Sequence, residues 1–398
     1  MSITRSGTLT LTCAALLCVL TSSAHAELAD IFKKQLAGLE LEPVGKVLAN
    51  TLATTYPVAS ASSSVTYVYN PALESFERQT GVLGPIFGER AETVGERQFS
   101  ISLSYSYVHP DDFNGRSLKH LVNKAEINGS VVSYEVEGGV ILADGRFTNF
   151  LPIRVDADLD VDAHLLTPSV TYGVTPELDV NMTLPLVRTS LDATTHVDVP
   201  DPRLPQFALS PGDPNASSGP GPHGSDEAFG VGDLLLRAKY VALRQNPVDL
   251  ALGLGVSFPT GNEDNFQGTG TYRVQPSLFA SRTFVERIQP LLNLGVDINC
   301  DDVDASAFRW AVGATGQIIT PLSAAIVFLG RNEFGKQTDS IDNPFFLQIE
   351  RNDIYDFSIG LRWMAIESAV LSVNFIVPMN DDGFRADFIP TLSAEYTF

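Results

Sequence analysis

Along Phe229–Pro259 apolar and non-apolar positions alternate one by one. Leu234, Leu236, Ala238, Tyr240 and Ala242 share one parity, with Asp233, Arg237 and Lys239 on the other. After a polar break at Arg244–Val248, Leu250, Leu252, Leu254, Val256 and Phe258 alternate with Ala251, Gly253, Gly255 and Ser257. A period of two predicts strands, because successive side chains of a strand point to opposite faces. The pattern recurs over Gln98–Val108, where Phe99, Ile101, Leu103, Tyr105 and Tyr107 alternate with four serines, Ser100 to Ser106. Serines on one continuous face suit a water-filled lumen better than hydrocarbon. Further strands are predicted at about 155–172, 177–191, 230–243, 249–259, 270–284, 288–299, 307–319, 323–334, 353–365, 369–378 and 388–398, twelve in all. Connections alternate between a few residues and longer loops, the longest being Asp192–Phe229. An even count with short turns on one side and long loops on the other is the layout of an outer-membrane barrel. An extra hairpin within 62–80 or 110–150 would raise the count to fourteen. A slip of parity between Ala163 and Leu166 predicts a bulge in the second strand.

The two ends of the chain separate this barrel from a soluble sandwich, which shows the same alternation. Residues 1–26 carry Arg5, an apolar run from Leu9 to Leu20, and Ala24 and Ala26 around His25, the layout of a secretory signal peptide. After Ala26 no stretch offers the roughly 18 apolar residues of a membrane helix. The last strand, Phe388–Phe398, ends on Phe398 with Tyr396 two residues earlier, which resembles the carboxy-terminal signal read by the outer-membrane barrel assembly machinery. The expected fold is therefore all-β, an antiparallel transmembrane barrel over 96–398 in the outer membrane of a Gram-negative bacterium. Residues 27–95 precede it, with a weak amphipathic pattern up to Asn50 and a hairpin of Val65–Asn70 with Glu74–Arg78. They are expected to form either a periplasmic tail or a plug in the barrel mouth. Tyr105, Tyr107, Tyr172, Trp310, Tyr355 and Trp363 fall near strand ends, as interface girdles do.

Charge narrows the partners. The formal net charge of −21, which falls by one more when Arg5 leaves with the leader, disfavours nucleic acid. Lipid and lipopolysaccharide (LPS) are the expected surroundings, with divalent cations held by acidic outer loops such as Asp301, Asp302, Asp304, Asp381 and Asp382. Only Cys300 lies outside the leader, so no internal disulfide is expected, and no other cofactor is implied. Four aspartates, Asp156, Asp158, Asp160 and Asp162, project from one face of the second strand roughly 6.6–6.8 Å apart. Oxygen ligands in that array would suit calcium or magnesium, although one strand cannot complete a coordination sphere and a solvated strand extension explains it as well.

The lumen-facing parity carries Arg237, Lys239, Arg273, Arg309, Arg331 and Arg362, with Asp179, Asp233, Asp297, Glu333, Asp356 and Glu395 among them. Rings of charge tune what passes a pore. The competing expectation is that these groups pair across the lumen and fill it. Enzyme chemistry finds no support. Gly268-Thr269-Gly270 lacks the third glycine and following helix of a dinucleotide site, and His164 with its nearest serine, Ser169, does not mark a catalytic pair.

Three stretches, 84–107, 172–191 and Phe229 through VSFPTGNEDNFQGTG to Phe284, together resemble the bacterial family of outer-membrane proteins labelled with the MetA pathway of phenol degradation. The resemblance implies a barrel admitting hydrophobic substrates near aromatic catabolism, and it transfers no functional residue. Taken together, the expected function is a monomeric channel for passive uptake of small hydrophobic or aromatic permeants. The alternative is a non-transporting surface protein whose acidic loops bind cations, LPS or another cell.

Overall fold

The computed structural model describes residues 28, 53–54, 59–60, 67–70, 75–78, 82–122, 126–127, 130–131, 133–141, 147–152, 154–198, 218–244, 248–285, 287–335, 353–366 and 368–398. The leader, most of the pattern over 27–50 and the centre of the longest loop lie outside the described residues. Among these residues twelve antiparallel strands close into a barrel. They are β1 Phe99–Val108, β2 Arg154–Gly173, β3 Leu178–Thr183 continued by Leu186–Asp198, and β4 Ser218–Val231 continued by Leu234–Leu243. There follow β5 Asp249–Phe258, β6 Arg273–Ser281, β7 Ile288–Asn299, β8 Ala307–Ile319, β9 Leu322–Glu333, β10 Ile354–Ile366, β11 Ala369–Pro378 and β12 Ile389–Thr397.

Closure is made by the two terminal strands. In β12 Thr391 faces Ser106 of β1 and Thr397 faces Ser100, and beyond the ladder Phe99 and Phe398 exchange both backbone hydrogen bonds at 2.8 Å. Phe398 also stacks on Phe99 and packs against Tyr396, so the predicted terminal signal lies on the outer wall at the seam. A closed sheet leaves no unpaired edge within the wall, which is what a non-aqueous environment demands.

Alternation sorts the two faces. Ile101, Leu103, Met182, Leu252, Leu254, Phe328, Leu361 and Leu392 are all exposed on the outside. Their neighbours Ser100, Ser104, Asn181, Ser358 and Thr391 are buried on the inside. Aromatic residues mark both ends of the outer belt. Phe99, Tyr172 and Phe398 cluster at the short-turn end, and Trp310 lies near Tyr355 at the other, with its Nε1 donating to Asn332 Oδ1 at 3.1 Å.

Three details differ from the sequence expectation. The second strand runs without a parity slip: Ala163 and Leu165 are buried, and Leu166 is exposed. The extra residue is in β4 instead, at Gly232–Asp233, where the pairing of β3 shifts from Leu186 opposite Val231 to Thr183 opposite Leu235. Next, β3 and β4 extend as a hairpin well beyond the rim, pairing up to Asp198 opposite Ser218, so much of the supposed long loop is strand. Gly219, Pro220, Gly221 and Pro222 read as loop, but this stretch is an edge strand, where proline is tolerated. Finally, the strands within 110–150 add no hairpin to the barrel wall: Phe147–Pro152 pairs with Ser133–Ile141, Pro110–Phe113 pairs with Arg116–Ser117 and Phe384–Ala386, and the two-residue strand Leu121–Val122 pairs with Ala157 and Asp156 at the start of β2. The expected early hairpin pairs Tyr67–Asn70 with Ser75–Arg78.

Candidate functional site

The inside of the barrel is not an open bore. Residues 82–94, VLGPIFGERAETV, cross the lumen at the short-turn end without forming regular structure. A buried, irregular backbone must find hydrogen-bond partners outside itself, and here the wall supplies them. Leu83 N donates to Ser323 Oγ (3.2 Å), Ala91 N to Ser281 Oγ (2.9 Å) and Val94 N to Asp179 Oδ2 (2.9 Å). Asn293 clasps Glu89 from both sides, accepting from its N–H and donating to its carbonyl, each at 2.7 Å. Arg362 donates to the carbonyls of Gly84 and Pro85, and Lys239 Nζ to that of Arg90 at 3.3 Å. These partners come from β3, β4, β6, β7, β9 and β10, so the segment is tied around most of the circumference. Gly88 turns the chain at φ 91°, a conformation open to glycine, over Leu291, Asn293 and Val327.

Two of the four serines on the inner face of β1 are bonded to neighbouring wall side chains. Ser100 Oγ donates to Glu395 Oε1 at 2.9 Å, and Ser106 Oγ meets Thr391 Oγ1 at 2.8 Å. Above the segment, Ile86 and Phe87 pack into an apolar patch of the inner wall made by Val108, Ala163, Leu165, Val187, Ile376 and Ile389.

Charges singled out by parity lie inside, and most are paired. Arg273 Nε donates to Asp297 Oδ1 (2.9 Å) and Arg331 Nη1 to Glu333 Oε1 (2.7 Å). Arg362 Nη2 lies 3.6 Å from Glu395, and Arg385, which the parity argument missed because it lies on a short strand outside the barrel, bonds Asp356 at 2.5 Å. Arg237 holds Asn181 Oδ1, Thr183 Oγ1 and the carbonyl of Ala59, and lies 3.6 Å from Glu89. Lys239 approaches the same carboxylate at 3.9 Å. Asp233 sits at the β4 bulge, accepting from Gly261 N, Thr269 N and Thr269 Oγ1, so it shapes the β5–β6 loop. A cavity of about 240 Å³ remains in mid-lumen, lined by Phe87, Arg237, Phe279, Arg309, Leu329 and Arg331 among others.

The aspartate array divides. Asp158 and Asp160 are exposed on the outer face of the β2 extension, and the side chain of Asp156 lies outside the described residues. Asp162 accepts from Tyr107 Oη, and His109 Nδ1 lies 3.0 Å from it and 3.7 Å from Asp160. Donor atoms of His109, Asp160 and Asp162 all fall within 4.8 Å of one another. His109 lies one residue beyond the end of β1. Only the register of β1 against β2, Val108 opposite Ala163, brings it to the array.

A closed antiparallel barrel with an apolar outside and a polar inside has the fold of the outer-membrane barrel class. The chain belongs to the family described as "Putative MetA-pathway of phenol degradation", which matches residues 143–363. That match begins after the lumen-crossing segment. Among solved structures, the chain is similar to an outer membrane channel from Pseudomonas putida F1, with 14% identity and TM-score 0.46 over 79% of this chain and 100% of that one. It is also similar to a Pseudomonas aeruginosa FadL homologue, with 11% identity and TM-score 0.36 over 76% and 90%. A search of curated proteins gives no match.

Proposed function

We propose that this protein is a monomeric outer-membrane channel for passive uptake of small hydrophobic or aromatic molecules, closed at its periplasmic end by residues 82–94. The observation that carries this reading is the mid-lumen cavity, which joins arginine side chains to apolar walls inside a barrel otherwise packed with paired charges. A merely structural barrel has no need for such a space. The outer apolar belt fits a lipid setting, and Tyr396 and Phe398 suit recognition by the barrel assembly machinery. No catalytic constellation enters this reading.

The decisive experiment compares single-channel conductance of the refolded chain with and without residues 27–95 in a planar bilayer. The segment is held by side-chain hydrogen bonds, ion pairs and apolar packing on the inner wall, whereas the backbone ladder of the wall is independent of it. The truncated barrel should therefore fold and conduct several times more than the full chain. Silence from both, with the barrel shown to be folded, would remove the channel reading.

A second reading, a surface protein that binds cations, is favoured by the His109, Asp160 and Asp162 group on the outer face of the extended hairpin sheet. An imidazole beside two carboxylates suits zinc or nickel better than the calcium or magnesium expected from aspartates alone. Titration of the full chain with Zn²⁺ should then show one site that weakens by at least about tenfold in His109→Ala, since one of three protein ligands is removed. Equal binding by both proteins would exclude this site.

A further inference from the structure

Arg309 differs from every other lumen cation described above. Its guanidinium carries five N–H donors, yet among the described residues it donates no hydrogen bond. Its closest carboxylate is Asp297, with Nη1 3.7 Å from Oδ2, and Arg273 already holds that carboxylate at 2.9 Å. The side chain keeps 41% of its exposure and faces the mid-lumen cavity. Directly across the β8–β9 ladder from Arg309 stands Arg331. Like charges in opposed positions of a sheet repel, and Glu333, the carboxylate of that strand pair, lies against Arg331 at 2.7 Å. The strand pair thus holds an excess positive charge beside an empty volume.

The rest of that volume is shaped for something apolar. Phe279 lies over Gly253, where a Cβ would sit 2.5 Å from the ring, and Gly295, opposite Arg309, leaves the wall flat where a Cβ would meet Ser277 Oγ at 2.7 Å. Phe87 and Leu329 close the other side. On the far edge Glu89 accompanies Arg237, so a second negative charge on a ligand would meet a carboxylate there.

We propose that the mid-lumen cavity is a binding site for a single-ring aromatic monocarboxylate, with the carboxylate on Arg309 and the ring between Phe279, Phe87 and Leu329. Planar guanidinium and planar carboxylate match in two parallel charge-assisted bonds. An anion there also offsets the repulsion between Arg309 and Arg331. A neutral aromatic would gain the apolar contacts alone, and an inorganic anion would gain the charge alone. That the bound acid is also a permeant rests on the channel reading above.

The test is equilibrium binding of radiolabelled benzoate to the refolded full chain in detergent, with benzamide as the neutral isostere. Wild type should bind benzoate saturably and at least about tenfold more tightly than benzamide. Arg309→Gln should abolish that preference, and Arg309→Lys should keep part of it, since charge survives while the fork geometry is lost. Benzamide binding as well as benzoate in the wild type, a result that needs no variant, would overturn the proposal, as would undiminished benzoate binding in R309Q. Conductance of the same preparation separates the two ideas. A silent barrel that binds benzoate would end the channel reading alone, whereas a conducting barrel indifferent to benzoate would end this inference alone.

Discussion

Arg362→Met should release residues 82–94 from the lumen while leaving the barrel wall assembled. Arg362 sits on the inner face of β10, buried, with Nε donating to Ser372 Oγ at 3.0 Å and Nη1 to Pro85 O at 3.1 Å and to Gly84 O. Its Nη2 faces Glu395 at 3.6 Å. Methionine keeps an unbranched, flexible apolar stem in place of the arginine's and removes every donor. Two buried carbonyls then lack a partner, at about 1–3 kcal/mol each, and breaking a buried ion pair costs about 3–5 kcal/mol. Water can reach these groups only if the segment moves, so movement of the segment is the cheapest relief. Arg90, only 1% exposed in the seated segment, becomes a trypsin site when it leaves. The expected result is cleavage after Arg90 together with frequent openings in single-channel records. A double variant with Glu395→Gln separates the two effects, because it removes the stranded wall charge without restoring donors to Gly84 and Pro85. Its barrel should regain thermal stability while its lumen stays open. An R362M protein as closed and as trypsin-resistant as wild type would show that the segment is held by other contacts.

What the sequence made legible follows from which interactions are local. Strand faces, strand number and the seam at Phe398 all follow from a period of two, since parity alone decides whether Leu103 or Ser104 meets the outside. The parity of Arg237, Arg273 and Arg331 likewise placed them inside. Parity carries no information on partners, however. Glu89 reaches Arg237 and Lys239 from a segment with no period at all, whose seat depends on side chains from six strands lying some 80 to 280 positions along the chain. Nothing in GPIFGERAETVG read alone distinguishes a lead-in to β1 from a chain that crosses the lumen. The hairpin beyond the rim was hidden for another reason: its Gly and Pro residues have poor strand propensity, and pairing with Leu186–Asp198 overrides it. His109 was invisible because one residue beyond a strand end has no face until the neighbouring register is known.

The largest single loss of stability from one added methyl group should come at Gly173. This residue ends β2 on the inner face, where the chain leaves the lumen and enters the wall. Gly173 O accepts from Arg97 N at 2.7 Å, and Gly173 N donates to Gln98 O at 3.0 Å, so two backbones lie against each other with nothing between. A Cβ here would stand 1.7 Å from Gly95 O and 2.7 Å from its carbonyl carbon. Both obstacles are main chain, and no rotamer clears them. Gly95 itself turns at φ 114°, which fixes the path of that backbone. Gly173→Ala must therefore push the segment's exit away from the wall, break the two bonds that join β1 to the end of β2, or both. Overpacking of this kind costs about 1–3 kcal/mol and more where backbone must shift. Gly316→Ala is the matched comparison, since its Cβ would meet nothing nearer than Arg287 O at 3.9 Å, and it should stay within about 0.5 kcal/mol of wild type. Thermal unfolding followed by the shift from folded to unfolded mobility in electrophoresis reads both. If the two variants unfold alike, glycine at position 173 reflects general strand preference, and the close approach of Gly95 is not what requires it.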